Sequence, residues 1–291
     1  MPENDRKILN EALRDAVREA KCPGAVAYIG RCGDKLFHES EGLRQIVPDR
    51  RRAEKDTIYD LASLTKVVAT TTAVLMLHEE GVLDLDAPVS EYLPVPAFGR
   101  FTIRQCLTHT AGLHPGMPFY RECTTLNEML QRYAATEPSR EPGTRRVYSD
   151  VGFMILGAVV ELASRDSLNG FCSRRIFRPL DMRDTAFNPP KEWADRCAAT
   201  EQCAWRKRIV RGEVHDENAY AVGGVSGHAG LFSTAFDLAK FCRALLEGKL
   251  LKDNTVAAMR RIGQVPTYPW QGLGWKLDPW SGGSEGFLPS R

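Results

Sequence analysis

The segment Asp60-Leu61-Ala62-Ser63-Leu64-Thr65-Lys66 sets a serine three residues ahead of a lysine at the opening of a helical stretch. Positions three apart on a helix share a face, so the lysine amine can reach the serine oxygen. Serine is a poor nucleophile until a neighbour takes its proton, and a lysine in a partly desolvated cleft can be tuned for that task. The helix N-terminus also favours negative charge developing nearby. A chain of this composition holds about one S-x-x-K by chance. The tetrapeptide alone therefore also fits a solvent-facing serine and lysine on an amphipathic helix.

A second group, Tyr148-Ser149-Asp150, follows Glu141-Pro142-Gly143-Thr144 and comes just before a helical pattern over 151–164. A phenol beside cations can be held as phenolate or serve in a proton relay. The plainer reading makes Ser149 or Asp150 a helix cap and Tyr148 a packing residue. Other candidates are weaker. His109 and His114 flank Gly112 at a helix end and read as structural. His228, in a glycine-rich loop, reads as packed histidine or substrate contact. His215-Asp216-Glu217-Asn218 either lines a cleft or forms a polar surface loop. Gly224-Val225-Ser226-Gly227-His228 misses the G-x-S-x-G elbow by its last residue, and Gly223-Gly224 carry no phosphate-binding signature.

Several elements must position these residues. Ile8, Leu9, Leu13, Ala16 and Val17 fall at helical spacing within 5–20. Residues 25–29 and 35–41 read as two strands around a Cys32-Gly33-Asp34 turn. The chain is extended over 57–61, then helical from Ser63 to Glu80, stopping at Gly81. Helical patterns at 102–108, 124–135, 151–164 and 167–177 form an all-helical region. Beyond 190 the chain reads as polar and irregular, then as loop and strand over 223–232, with helices from Ser233 or Thr234 to Glu247 and near 253–261. A further strand is expected at Gly274–Leu277.

The 291 residues are 43% hydrophobic, enough for a substantial core. With 39 basic against 37 acidic residues, no summed field draws in nucleic acid or an anionic membrane. The charged N-terminus lacks a secretory signal and no stretch is long and apolar enough to span a bilayer, which predicts a cytoplasmic protein. Eight cysteines contain no C-x-x-C, so most read as small buried hydrophobes rather than metal ligands, and no metal or cofactor is expected.

The S-x-x-K and the Tyr148-Ser149-Asp150 group, with Leu107-Thr108-His109-Thr110-Ala111-Gly112-Leu113, Ile176-Phe177-Arg178-Pro179-Leu180-Asp181-Met182 and Gly227-His228-Ala229-Gly230-Leu231-Phe232-Ser233-Thr234, resemble class C β-lactamases, penicillin-binding proteins and related esterases. The resemblance spans residues 20–276. It implies an α/β fold of the α+β type: an antiparallel sheet flanked by helices, from 1–66 and 190–291, around a helical region at 67–189. It makes Ser63 the nucleophile of an acyl-enzyme, with Lys66 and Tyr148 sharing proton transfer and the Ser63 N–H as half of an oxyanion hole. Asp150 and His228 become candidate substrate contacts.

Two departures from that pattern stand out. Asp150 replaces the usual asparagine, and a carboxylate cannot donate unless protonated, so it is free to pair with Lys66 instead. No K-T-G occurs, and the single H-x-G, His228-Ala229-Gly230, lies upstream of a helix. The chain reaches Arg291 about where the family's third-motif strand begins, so C-terminal strands are expected to be missing and a sheet edge open. The expected substrates are an ester, a β-lactam or a peptidoglycan-type amide, with ester or broad amide hydrolysis favoured. The stretch 215–234 resembles a branch linked to muramyl-peptide cleavage. The competing expectation is a non-catalytic or truncated relative that binds peptide or cell-wall fragments. The sequence leaves the oligomeric state open.

Overall fold

The computed structural model of the chain describes residues 1–31, 33–261, 268 and 270–277. Helix α1 (Glu3–Arg18) leads into an antiparallel hairpin of β1 (Gly24–Arg31) and β2 (Asp34–Gln45), with β3 (Arg51–Arg52) beside β2. Strand β4 (Tyr59–Asp60) then runs into a helical turn at Leu64, a π-helical segment over Lys66–Thr71 and α2 (Thr72–Glu79). Next come α3 (Ile103–Leu107), α4 (Leu126–Ala134), α5 (Asp150–Ser164), α6 (Leu168–Cys172) and β5 (Ala186–Phe187). The chain continues through β6 (Ala199–Cys203), β7 (Arg208–Arg211), α7 (Glu217–Ala221), β8 (Leu231–Ser233), α8 (Ala235–Leu246) and α9 (Asp253–Met259).

The centre of the molecule is α5. Every residue from Val151 to Val160 is buried, so this helix is apolar all round, as a helix enclosed by others must be. Helices α2, α3 and α6 pack on it. Each fully buried Phe, Ile or Leu of this cluster, such as Phe153, Ile155 or Leu75, contributes roughly 1.5–3 kcal/mol relative to exposure. Strand β8 runs between β4 and β5, antiparallel to both, and so ties the chain before Ser63 to the chain after His228. Among the described residues, every named strand except the two-residue β5 lies in 24–60 or 199–233, and the span between is helical.

The sheet order β1-β2-β3 leaves one edge of β1 without a strand neighbour among the described residues, and no residue of β1 is buried. Beside that edge a groove of about 1170 Å³ runs between the hairpin and α8, lined in part by Tyr28, His38 and Phe236. Five cysteines, at 106, 123, 172, 197 and 203, are buried with their thiols free, whereas Cys242 is exposed. No helix among the described residues is long and apolar enough to cross a membrane.

Two sequence expectations fail. The stretch after 190 is not irregular throughout: β6 and β7 pair as a hairpin. Gly274–Leu277 is not a named strand. A single bridge joins Gln271 to Lys276, and Gly274 has a φ of +75° and lies so close to Thr71 that a Cβ on it would stand 2.1 Å from Oγ1. The expectation of missing C-terminal strands and an open sheet edge at the end of the chain falls on residues outside those described.

Candidate active site

Ser63 is presented by a constrained turn. Ala62 adopts a φ of +44°, a left-handed conformation that disfavours a residue with a Cβ. Asp60 holds it there. One carboxylate oxygen accepts the Ala62 N–H at 2.8 Å, and the other accepts the His215 N–H at 2.7 Å. Burial pushes the Asp60 carboxyl up, and those two N–H groups pull against it. The turn is also bound to β8: Leu61 N–H donates to the Leu231 carbonyl at 2.9 Å, and Leu231 N–H donates to Thr65 Oγ1 at 3.1 Å. Ser63 itself is exposed.

The π-helical segment that follows is wholly buried, Lys66 included. Single π turns inside helices recur at functional sites, because they displace a side chain from its regular position. Thr70 anchors this one by donating to the Gly227 carbonyl at 2.7 Å. Gly227 lies against α5, where a Cβ on it would stand 2.0 Å from the Phe153 carbonyl oxygen. Only a glycine lets the 226–228 loop approach α5 this closely.

Lys66 Nζ stands 2.9 Å from Ser63 Oγ, 2.7 Å from Asp150 Oδ1 and 3.1 Å from the His228 carbonyl oxygen. An ammonium has three N–H donors, and three acceptors surround this one. Asp150 opens α5, with its N–H donating to the Pro115 carbonyl at 2.7 Å. Its neighbour Ser149 is the cap, accepting the Gly152 N–H at 3.2 Å. The cap and the ion pair thus fall to adjacent residues. The Tyr148 ring is half-exposed, with its centroid 4.9 Å from Lys66 Nζ and 6.0 Å from the Arg146 guanidinium carbon.

The His228 side chain is withdrawn from the surface. It is 1% exposed, one ring nitrogen is 2.8 Å from Ser226 Oγ, and the other is 2.8 Å from Asp216 Oδ1. What it brings to Lys66 is its backbone carbonyl. Burial pushes Asp216 up, but the hydrogen bond and charge of His228, the Ala219 N–H and the Lys66 charge outweigh that and hold it down at about 2. Asp216 also caps α7, so 215–218 is a structural corner: His215 N–H binds Asp60, and Asn218 donates to the Met117 carbonyl and accepts the Tyr120 N–H.

The structure therefore brings Ser63, Lys66 and Asp150 into direct contact and sets Tyr148 beside them. Sequence reasoning missed Asp60, although it opens the quoted motif, and gave His109 only a structural part. His109 is buried, and its ring lies 4.5 Å from that of Tyr148, centroid to centroid. The His114 ring points away, with Nε2 3.1 Å from the Glu137 carbonyl oxygen, but its own carbonyl accepts the Ser149 hydroxyl at 2.6 Å.

The beta-lactamase family profile matches residues 9–288. The chain belongs to that family. A protein of Salmonella heidelberg (strain SL476) named "Putative D-alanyl-D-alanine carboxypeptidase" is 34% identical over 267 residues, 78% of this chain and 60% of that protein. The chain thus spans about three fifths of that curated relative. The structure of EstCE1, described as a hydrolase with promiscuous acyltransferase activity, superposes with a TM-score of 0.75 at 25% identity, covering 93% of this chain and 82% of that one. A class C beta-lactamase in complex with cefoxitin superposes at a TM-score of 0.78 and 22% identity, covering 96% and 77%, and so shares the fold.

Proposed function

We propose that the protein is a serine hydrolase that cleaves carboxylic esters or amides through an acyl-enzyme on Ser63. The observation that carries this reading is the Lys66 side-chain nitrogen, buried and 2.9 Å from the oxygen of an exposed serine held on a left-handed turn. A structural serine needs neither the strained turn nor the buried lysine.

In the first step Ser63 Oγ bonds to the substrate carbonyl carbon, while its proton passes to whichever of Lys66 and Tyr148 is unprotonated, as free amine or as phenolate. The tetrahedral intermediate collapses by breaking the bond to the leaving oxygen or nitrogen, which takes that proton. Water repeats the sequence on the serine ester, its proton returning to Ser63 as the acid leaves. Asp150 holds the lysine, and as an ionised acceptor it cannot donate to a substrate amide oxygen. That favours esters, or amides placed by other groups, over β-lactams. EstCE1's described hydrolase and acyltransferase activity and the carboxypeptidase name of the Salmonella relative both fit acyl transfer through a serine.

The test is intact mass after brief exposure of the parent and Ser63→Ala to a fluorophosphonate, a short p-nitrophenyl ester and a penicillin. A single adduct on the parent alone is expected with the fluorophosphonate, together with Ser63-dependent release of p-nitrophenol. An unmodified parent with all three reagents rejects the hydrolase reading for this chain and leaves a binding role in the same cleft.

A further inference from the structure

We infer that His109 is a positioning residue for Tyr148, holding the phenol ring beside Lys66 by gripping the backbone on both sides of it. This rests on the proton-transfer role proposed above for Tyr148.

The grip has three parts. The His109 carbonyl accepts the Val147 N–H at 2.8 Å, and its Nδ1 accepts the Ser149 N–H at 3.1 Å, so one residue fixes the peptides before and after the tyrosine. Its ring then packs between two others, 4.5 Å from Tyr148 at 35° and 5.2 Å from Phe153 at 38°. Among the described residues, no other one touches both the tyrosine's ring and the N–H groups of Val147 and Ser149.

Carbonyl and ring can serve the 147–149 segment together because of the backbone of His109 itself. Its φ is +58°, which closes the turn after α3. Histidine and asparagine enter that region more readily than bulkier residues. Nδ1 can accept only if the ring is neutral with its proton on Nε2. The surroundings enforce this: burial first, then the nearby Arg146 and Lys66 cations, hold His109 well below its ordinary value. An imidazolium would lose the Ser149 contact and crowd a third cation against Lys66. Proton relays depend on such placement, since a displacement of about 1 Å can cost 10²-fold in rate.

The contacts divide between two substitutions. His109→Ala removes the ring and the acceptor. His109→Asn removes the ring but keeps a carbonyl acceptor on a residue that tolerates the left-handed backbone. Each is compared with the parent for kcat and KM on p-nitrophenyl acetate, with thermal melting alongside. The expected result for His109→Ala is a kcat lowered about 10- to 100-fold with KM within about twofold, and His109→Asn recovering at least half of that loss on a logarithmic scale. Should His109→Ala fail to fold, His109→Asn still decides the matter by a lowered kcat at constant KM. Melting temperatures that fall while kcat stays at the parent level overturn the inference, as does a loss confined to KM. A parent with no Ser63-dependent turnover defeats the proposed function and this inference with it, whereas an active parent matched by His109→Ala defeats this inference alone.

Discussion

Lys66 and Asp150 form a 2.7 Å ion pair in which the lysine side chain is 3% exposed and the carboxylate 34%. The lysine is shielded from solvent and its partner is not, so the pair is asymmetric. Breaking a fully buried pair by removing one partner costs about 3–5 kcal/mol, and the exposure of Asp150 reduces this. We expect Asp150→Ala to lower stability by about 1–3 kcal/mol in urea unfolding. Asp150→Asn keeps an acceptor for Lys66 and should cost about 1 kcal/mol or less.

Asp150→Asn should also change substrate choice. The amide adds a donor that the carboxylate lacks, so a substrate amide oxygen gains a partner in the cleft. The ratio of kcat/KM for a penicillin or peptide amide to that for p-nitrophenyl acetate is expected to rise by about tenfold, the size of one neutral hydrogen bond. An unchanged ratio would show that Asp150 faces Lys66 alone.

Replacing Lys66 by methionine keeps most of the buried volume and removes the amine. The rate of fluorophosphonate labelling at Ser63 should fall by roughly 10²–10⁴, the range of a lost acid–base group. Labelling at the parent rate would mean that Lys66 only fills space between Asp150 and the His228 carbonyl.

The sequence showed these contacts unequally, for physical reasons. An i, i+3 spacing on a helical turn puts Lys66 within reach of Ser63, which made the 2.9 Å contact one of two readings of those four letters, the other being a solvent-facing pair. Helix α5 was legible from its apolar run and its Ser149 cap. The π turn at Lys66–Thr71 was not, because all six residues are buried and no hydrophobic period marks a shifted hydrogen-bond register. The hairpin of β6 and β7 escaped because its residues alternate weakly: Glu201 and Gln202 are both exposed. The partnership of His228 with Lys66 runs through a backbone carbonyl, which no side-chain type announces.

Gly227→Ala should be more damaging than its size implies. The added methyl would meet the Phe153 carbonyl at 2.0 Å and the Gly157 Cα at 3.0 Å, neither of which is the end of a flexible side chain. Relief requires the loop to back away from α5, and that loop carries the carbonyls bound by Thr70 and Lys66. Overpacking of this kind costs about 1–3 kcal/mol, and here activity should fall with it. Gly223→Ala serves as the control, because nothing lies within 4 Å of its added methyl, although its φ of +86° carries a strain of its own.

Acid should act on this fold in two separate windows. Unfolded His109 takes up a proton below its ordinary value of 6.5, while the folded residue, held well below that, does not. The unfolded state then binds more protons, so stability falls as pH drops from about 7 toward 5, by at most about 1.4 kcal/mol per pH unit per residue. His38 is also lowered, chiefly by burial, and adds to the same window. Asp216 acts later: its folded value of about 2 lies below the ordinary 3.8, so the stability it lends is lost only as pH falls from about 4 toward 2. Urea midpoints for the parent, His109→Asn, His38→Asn and Asp216→Asn at pH 7.5, 5.5, 4.5 and 2.5 separate the contributions. His109→Asn should flatten the loss between pH 7.5 and 5.5 and leave the lower window in place, whereas Asp216→Asn should flatten only the lower one. A His109→Asn protein that loses as much stability as the parent on going to pH 5.5 would show that the imidazole beside Tyr148 becomes charged in the folded state.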